Sequence, residues 1–345
     1  MIDAGSASER EANGLSAFVE RHETLVVCGI VLLGLAARLA HFVEIEANDP
    51  YFYHPAVDPR VYHEWAARIA GGDFLGSGVF FLSPLYPYAL AAFYSLAGVS
   101  LYAARLAGLV AGSGIPALVY VLGKRTLGAT TGALSALVWA VYSMAIFYDG
   151  DLLVTSIQTP LNLLFALAWV KASRRFHARD WALAGFLLGL SALARPNVLL
   201  LTAFVLPQVA LRRGGESRRR ALHAVLAFFF AAAAAVLPVT ARNLFVGGDC
   251  VLVSSQSGAN FAIGNGPGAT GVFRVPREFP PTRADDPIQQ EEAFRKVAES
   301  ESGRALLSSE VSSFWWRKTL ASIAEEPCAW AKLLTVKLGL FFNEY

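Results

Sequence analysis

Few charged residues interrupt the apolar stretches of this 345-residue chain, and those that do are candidates for chemistry. Asp58 opens the run Asp58-Pro59-Arg60-Val61-Tyr62-His63-Glu64. Followed by proline, it suits the start of a short amphipathic helix that Gly71-Gly72 would end. Either Asp58 caps that helix, or it is a carboxylate fixed at a membrane–water boundary, able to take a proton from a hydroxyl. Asp149-Gly150-Asp151 lies between two apolar runs, where a plain turn would use the same residues. Asp151 leads directly into the next run and is the second catalytic candidate, with Asp149 a candidate substrate contact. Arg195 interrupts an apolar stretch, where an ionisable group marks function by default unless it snorkels to the interface. Arg38 is expected to snorkel. A planar guanidinium fork suits phosphate oxygens, so Arg195 and Arg242 are candidate substrate contacts, joined by Tyr62 and Tyr86.

Other chemistries are disfavoured. The six histidines form no His-x-x-x-His pair and the three cysteines no Cys-x-x-Cys pair, so a dedicated zinc site is not expected. No cofactor is required by any motif, and a divalent metal, Mg or Mn, is left open. Neither a Walker loop nor a dinucleotide fingerprint is present, and no basic tract is dense enough for nucleic acid. Cys28 reads as a small hydrophobe, whereas Cys250 and Cys328 are placed to form a disulfide if both lie in an oxidising compartment.

The elements that must position these residues are membrane spans. Hydrophobic residues make up 55% of the chain and charged ones only 16%, with a mean hydropathy of +0.45. A soluble domain carries about 25% charged residues. Runs long enough to cross, roughly 20 residues, fall at 24–43, 104–123, 129–148, 152–170 and 221–240. The stretch 181–211 is too long for one upright span and should form two short helices breaking at Arg195-Pro196, because helix is disfavoured before proline. The piece 84–98 is short and should be interfacial or re-entrant. The expected fold is an all-α polytopic membrane protein of about seven to eight transmembrane helices, with interfacial helices and a small soluble segment.

Residues 1–23 form a polar cytoplasmic tail followed by an uncleaved signal anchor. Residues 24–240 form the transmembrane domain with an outer loop at 44–102, 241–328 an extracytoplasmic segment, and 329–345 the start of a further span. Basic residues at 124–125, 171–179 and 212–220 place those loops in the cytoplasm. Loop 44–102, the turn 149–151, the break at Arg195 and segment 241–328 then share the opposite side. In that segment Gly264, Gly266, Gly268 and Gly271 read as loop glycines. Helices are expected at 287–302, capped by Asp285 or Asp286, and at 308–325, with Val311, Phe314, Trp315, Leu320 and Ile323 facing the membrane part.

The order of these motifs resembles the C-type (GT-C) membrane glycosyltransferases, especially the branch with lipid A aminoarabinose transferases and protein O-mannosyltransferases. The resemblance rests on Asp58 to Glu64, Ser83-Pro84-Leu85-Tyr86-Pro87-Tyr88, Asp149 to Asp151, Ala194-Arg195-Pro196-Asn197 and Arg242-Asn243. It implies transfer of a sugar, with inversion, from a polyprenyl-phosphate donor to an extracytoplasmic lipid, glycan or protein. The enzyme would sit in the cell inner membrane among membrane lipids, with its site on the periplasmic or extracytoplasmic side and Asp58 as base. In the aminoarabinose transferases a Pro-Pro-Leu motif follows a lysine thought to touch donor phosphate, whereas here Ser83 precedes Pro84, which shifts that role toward Arg195. The family also runs on through further spans, so the chain is expected to be a fragment or a shortened form. The competing class is a transporter or lipid-handling protein without chemistry, which predicts mid-membrane ionisable groups and two related halves.

Overall fold

In the computed structural model, residues 14–211, 218–273 and 286–342 are described, and every regular element among them is helical. Most of the N-terminal tail, and Arg212 and Arg213 of the third basic loop, lie outside the described residues. The chain divides into two units, one of residues 1–73 and 85–236, the other of residues 74–84 and 237–345. The expected outer loop 44–102 is therefore shared between them.

The first unit begins with α1 (14–21) and α2 (Glu23–Asn48). Helices α3 (Val57–Ala70) and α4 (Leu85–Ala97) follow, the latter too short to span on its own. Helices α5 (Leu101–Gly112) and α6 (Ile115–Leu127) run on across a two-residue turn and together are long and apolar enough to cross. So are α2 and α12 (Arg218–Phe245), which makes three such helices among the described residues. A fourth candidate is the bent pair α7 (Ala129–Val141) and α8 (Ser143–Gly150). Of the other expected spans, α9 (Thr155–Arg175) has the length but is diluted by Gln158, Asn162 and Lys171, and the rest are shorter pieces. Outward-facing Leu25, Leu32, Val138 and Phe230 are well exposed. An apolar exterior of that kind needs lipid around it.

Two spans depart from the simple expectation. The run 129–148 is not straight: Tyr142 adopts an extended backbone and α8 turns 56° from α7. Residues 181–211 break where expected, with α10 (Ala178–Ala194) ending at an extended Arg195 (φ −145°, ψ 111°). Beyond the break the chain winds as a 3₁₀ stretch, Pro196–Phe204, before α11 (Val205–Leu211), rather than as one α-helix.

Close helix packing is made by small residues. Gly185 and Gly189 lie one turn apart on α10, and a Cβ at either would strike the α12 backbone at Phe228 or Ala232. Gly108 and Gly112 on α5 likewise admit α8, and a Cβ at Gly112 would land on the Asp149 carboxylate. Without a hydrophobic drive between helices in lipid, such small-xxx-small faces let backbones approach. Around Trp181 and Phe228, both fully buried, side chains of α9, α10 and α12 form an aromatic core.

In the second unit the Gly-rich stretch is not wholly loop: Ser257–Asn265 is helix α13. Gly258 lies where α15 (Ser308–Glu325) crosses, and its N–H donates to Ser312 Oγ at 3.0 Å. Helix α14 (Pro287–Ser302) starts as expected, with Asp286 capping the Ile288 N–H at 2.9 Å. Trp315, with Val311 and Phe314, packs on α13 and α14 within this unit, while Leu320 remains exposed, so the apolar stripe of α15 does not serve as one continuous face. Helix α16 (Pro327–Phe341) ends the described chain. All three cysteines are free and exposed, so the Cys250–Cys328 disulfide does not form.

Candidate functional site

Asp58 sits in the first turn of α3 but does not cap it; the cap position is Ala56, which offers no side chain to the free N–H groups. The residue between them, Val57, has φ +55°. A β-branched residue in the left-handed region is strained, and such strain clusters at sites where it aims a neighbour. The carboxyl of Asp58 is pushed above the usual carboxylate range, first by burial and further by the like charge of Asp151, while Arg195 opposes both. Tyr62, one turn along α3, is buried and meets the Tyr86 ring edge-on at 5.3 Å. Burial and the Asp58 charge also drive the Tyr62 hydroxyl upward, so it stays protonated and able to donate.

Arg195 stands at the break between α10 and the 3₁₀ stretch, its extended backbone set by the proline after it. It is exposed, and among the described residues it forms no ion pair or hydrogen bond through its side chain. Its charge nevertheless acts on both Asp58 and Tyr62. Asp58, the 149–151 turn and the Arg195 break thus converge within the first unit, whereas residues 74–84 of the loop and segment 241–328 belong to the second.

The 149–151 turn is organised differently. Asp149 Oδ2 accepts two hydrogen bonds from Arg38, at 2.9 Å from Nε and 2.7 Å from Nη2. Arg38 is 0% exposed and Asp149 5%. Arg38 therefore does not snorkel; it holds the bent span together from inside the bundle. Its Nη1 also donates to the Ala140 carbonyl at 3.1 Å. That carbonyl lies in the last turn of α7, where the break at Tyr142 leaves acceptors without an intrahelical partner. Asp149, expected at the substrate, is enclosed against Arg38.

Asp151 occupies a middle ground. Its Oδ1 accepts from Arg105 Nη1 at 3.2 Å and from the Leu152 N–H at 2.9 Å, while its other oxygen has no hydrogen-bond partner among the described residues. Arg105 also donates to the carbonyls of Gly150 and Tyr51 at 3.0 and 3.1 Å and lies over the Phe52 ring. It ties the outer loop to the turn beside the site. Sequence reasoning passed over Arg105, although a cation just inside an apolar run is the signal that singled out Arg195.

Arg242, in the second unit, closes on the loop before Pro84. Its Nε donates to Leu75 O at 2.9 Å, its Nη1 to Gly78 O and its Nη2 again to Leu75 O. Asn243 is fully buried and donates to the Val251 and Val253 carbonyls at 2.9 and 3.0 Å. It also receives the Phe80 N–H at 3.2 Å. The Arg-Asn pair thus fastens residues 75–80 and 251–253 to the end of α12. No group of three or more His, Cys, Asp or Glu among the described residues is arranged to hold a metal.

Residues 82–241 match the family model described as dolichyl-phosphate-mannose-protein mannosyltransferase. The match supports the resemblance to GT-C membrane glycosyltransferases, and with it a mannosyltransferase-like enzyme. It takes in Tyr86, Arg105, Asp149, Asp151 and Arg195, while Asp58 precedes it and Arg242 follows it. No curated protein matches the chain.

Proposed function

We propose that this membrane glycosyltransferase of GT-C type moves a sugar from a polyprenyl-phosphate donor to a hydroxyl of an extracytoplasmic acceptor, with inversion. One observation carries the reading: an ionisable carboxylate with a raised pKa, Asp58, within electrostatic reach of an exposed guanidinium, Arg195, that among the described residues has no ion-pair partner. A carboxylate held above its usual range is the better proton acceptor near neutral pH. Asp58 takes the proton of the acceptor hydroxyl as that oxygen bonds to the sugar's anomeric carbon. The bond from that carbon to the phosphate oxygen breaks, and its electron pair leaves with the polyprenyl phosphate. Attack and departure on opposite faces invert the centre.

Arg195 meets the charge that grows on the leaving phosphate, the term that usually contributes most. Tyr62, kept protonated, donates to a sugar oxygen. Asp151 holds one oxygen toward Arg105 and leaves the other for the sugar or acceptor, and Tyr86 supports the Tyr62 ring. Under this reading Asp149 and Arg242 position backbone rather than touch substrate, and Arg195 does the work that a divalent metal would otherwise do. A donor carried on a lipid requires a site at the bilayer surface, which fits an outer loop between spans on the extracytoplasmic side of the inner membrane.

Purified protein in lipid nanodiscs, given a polyprenyl-phosphate sugar labelled in the sugar, tests the function. Release of polyprenyl phosphate with an inverted glycoside product is the expected result. Uptake or movement of the intact donor without bond cleavage would favour the transporter reading.

A further inference from the structure

The second unit carries an open cavity of about 240 Å³ at the start of α15, lined among others by Arg304, Ser309, Glu310, Ser313, Phe314 and Arg317. It is smaller than the ~300–1,000 Å³ of sites for drug-sized ligands, which suits a single ring. Its charges do not cancel. Arg304 and Glu310 form a two-pronged pair, with Nη2 2.6 Å from Oε1 and Nη1 3.0 Å from Oε2. That pairing and the Leu307 N–H hold the Glu310 carboxyl down at about 2, so it stays ionised and neutralises Arg304. Arg317 is exposed and, among the described residues, has no side-chain partner. Among the side chains that line the cavity one positive charge, that of Arg317, is left over, while the buried Asp249 carboxylate lies behind Ser309 and is held by that residue's N–H and hydroxyl.

The hydroxyls are directed too. Ser309 Oγ donates to Asp249 Oδ1 at 2.7 Å and Ser313 Oγ donates to the Ser309 carbonyl at 2.8 Å. Each has its proton engaged and turns only lone pairs to a ligand, so the ligand must bring donors. Phe314 supplies a half-buried apolar edge. A ligand with hydroxyl donors, an apolar ring face and one negative charge satisfies all three features.

We propose that this cavity binds a monoanionic saccharide, a sugar unit bearing one carboxylate. A neutral sugar leaves Arg317 without a counter-charge. A phosphomonoester brings about −1.5 to −2 charges at neutral pH beside the fixed Glu310, more than one guanidinium offsets. The proposal concerns binding alone and stands whether or not the Asp58 site transfers a sugar, so the test uses an Asp58→Asn background and reads no turnover.

The full chain in nanodiscs is titrated with glucuronate, glucose and glucose 6-phosphate, and binding is read by saturation-transfer NMR. Glucuronate is expected to bind about tenfold more tightly than glucose, the ~1.4 kcal/mol of a charge-assisted contact. Arg317→Gln should erase that advantage and Arg317→Lys should keep most of it. Equal binding of glucuronate and glucose, no loss in Arg317→Gln, stronger binding of glucose 6-phosphate, or no binding of any probe would each overturn the proposal.

Discussion

The turn at 149–151 and the first turn of α3 both set aspartates near arginines, yet they handle charge in opposite ways. At Asp149 the carboxylate and Arg38 are sealed inside the bundle with two hydrogen bonds, and the two Nη1 protons go to the carbonyls of Gly34 and Ala140. At Asp58 the carboxylate is partly buried and lies within reach of Arg195, and among the described residues neither side chain forms an ion pair. A buried pair that satisfies itself can only hold structure, because a substrate would have to replace it at great cost. A charge held short of its partner is free to act on something else. The contrast teaches that in an apolar chain the presence of an ionisable residue is a weaker guide to function than whether its partner is already inside the protein.

The largest effect that could break this contrast lies at Arg38. Arg38→Met leaves the Asp149 charge buried and uncompensated, and breaking such a pair costs about 3–5 kcal/mol. The expected outcome is loss of monodisperse protein on size exclusion, with substantial recovery in Arg38→Met combined with Asp149→Leu. Normal folding of the single variant would show that the pair does not hold the bent span.

Next in size is Arg195→Gln. It should leave yield and thermal stability unchanged while lowering the transfer rate about 100-fold, the scale for removing one group that stabilises developing charge. Treatment of the native enzyme with EDTA should leave its rate within about twofold if, as proposed, the cation is Arg195. A fall in stability with no fall in rate would return Arg195 to the category of Arg38.

The smallest effect is a displacement of the pH profile. Asp58 works ionised, so transfer should fall as pH drops through its raised pKa, beginning above the ~3.9 of an unperturbed aspartate. Asp151→Asn removes a like charge and should move the midpoint to lower pH; Arg195→Gln removes an opposing charge and should move it higher. Rates at several pH values in each variant check the two directions. Shifts of the same sign would mean that the profile does not report Asp58.

Much of this organisation was legible in the sequence. The break at Arg195-Pro196 came from proline's effect on the residue before it, and α14 and α15 came from capping and periodicity. Asp58 was visible from the Asp-Pro start of a short amphipathic helix, and the acidic turn and Arg195 as interruptions of apolar runs. Partnership between distant residues was not visible. Arg38 and Asp149 are separated by 111 positions, so nothing local distinguished a sealed arginine from a snorkelling one. Arg105 was hidden for the same reason, since its partners lie in the loop at Tyr51 and the turn at 150–151. The 56° bend at Tyr142 has no proline or glycine to announce it, and α13 was hidden because Gly258 serves close packing on α15 rather than a turn.

The most direct test of the central claim compares Asp58→Asn with the native enzyme in the polyprenyl-phosphate transfer assay, alongside thermal melts. Because the Asp58 pKa is raised on folding, its favourable contribution exists only below its unfolded pKa and is lost as pH rises through the folded value. At neutral pH the substitution should therefore leave the melting temperature unchanged or raise it, while transfer drops about 100- to 10,000-fold, the span for loss of a general base. Transfer within a few-fold of native by a correctly inserted Asp58→Asn protein would contradict the assignment.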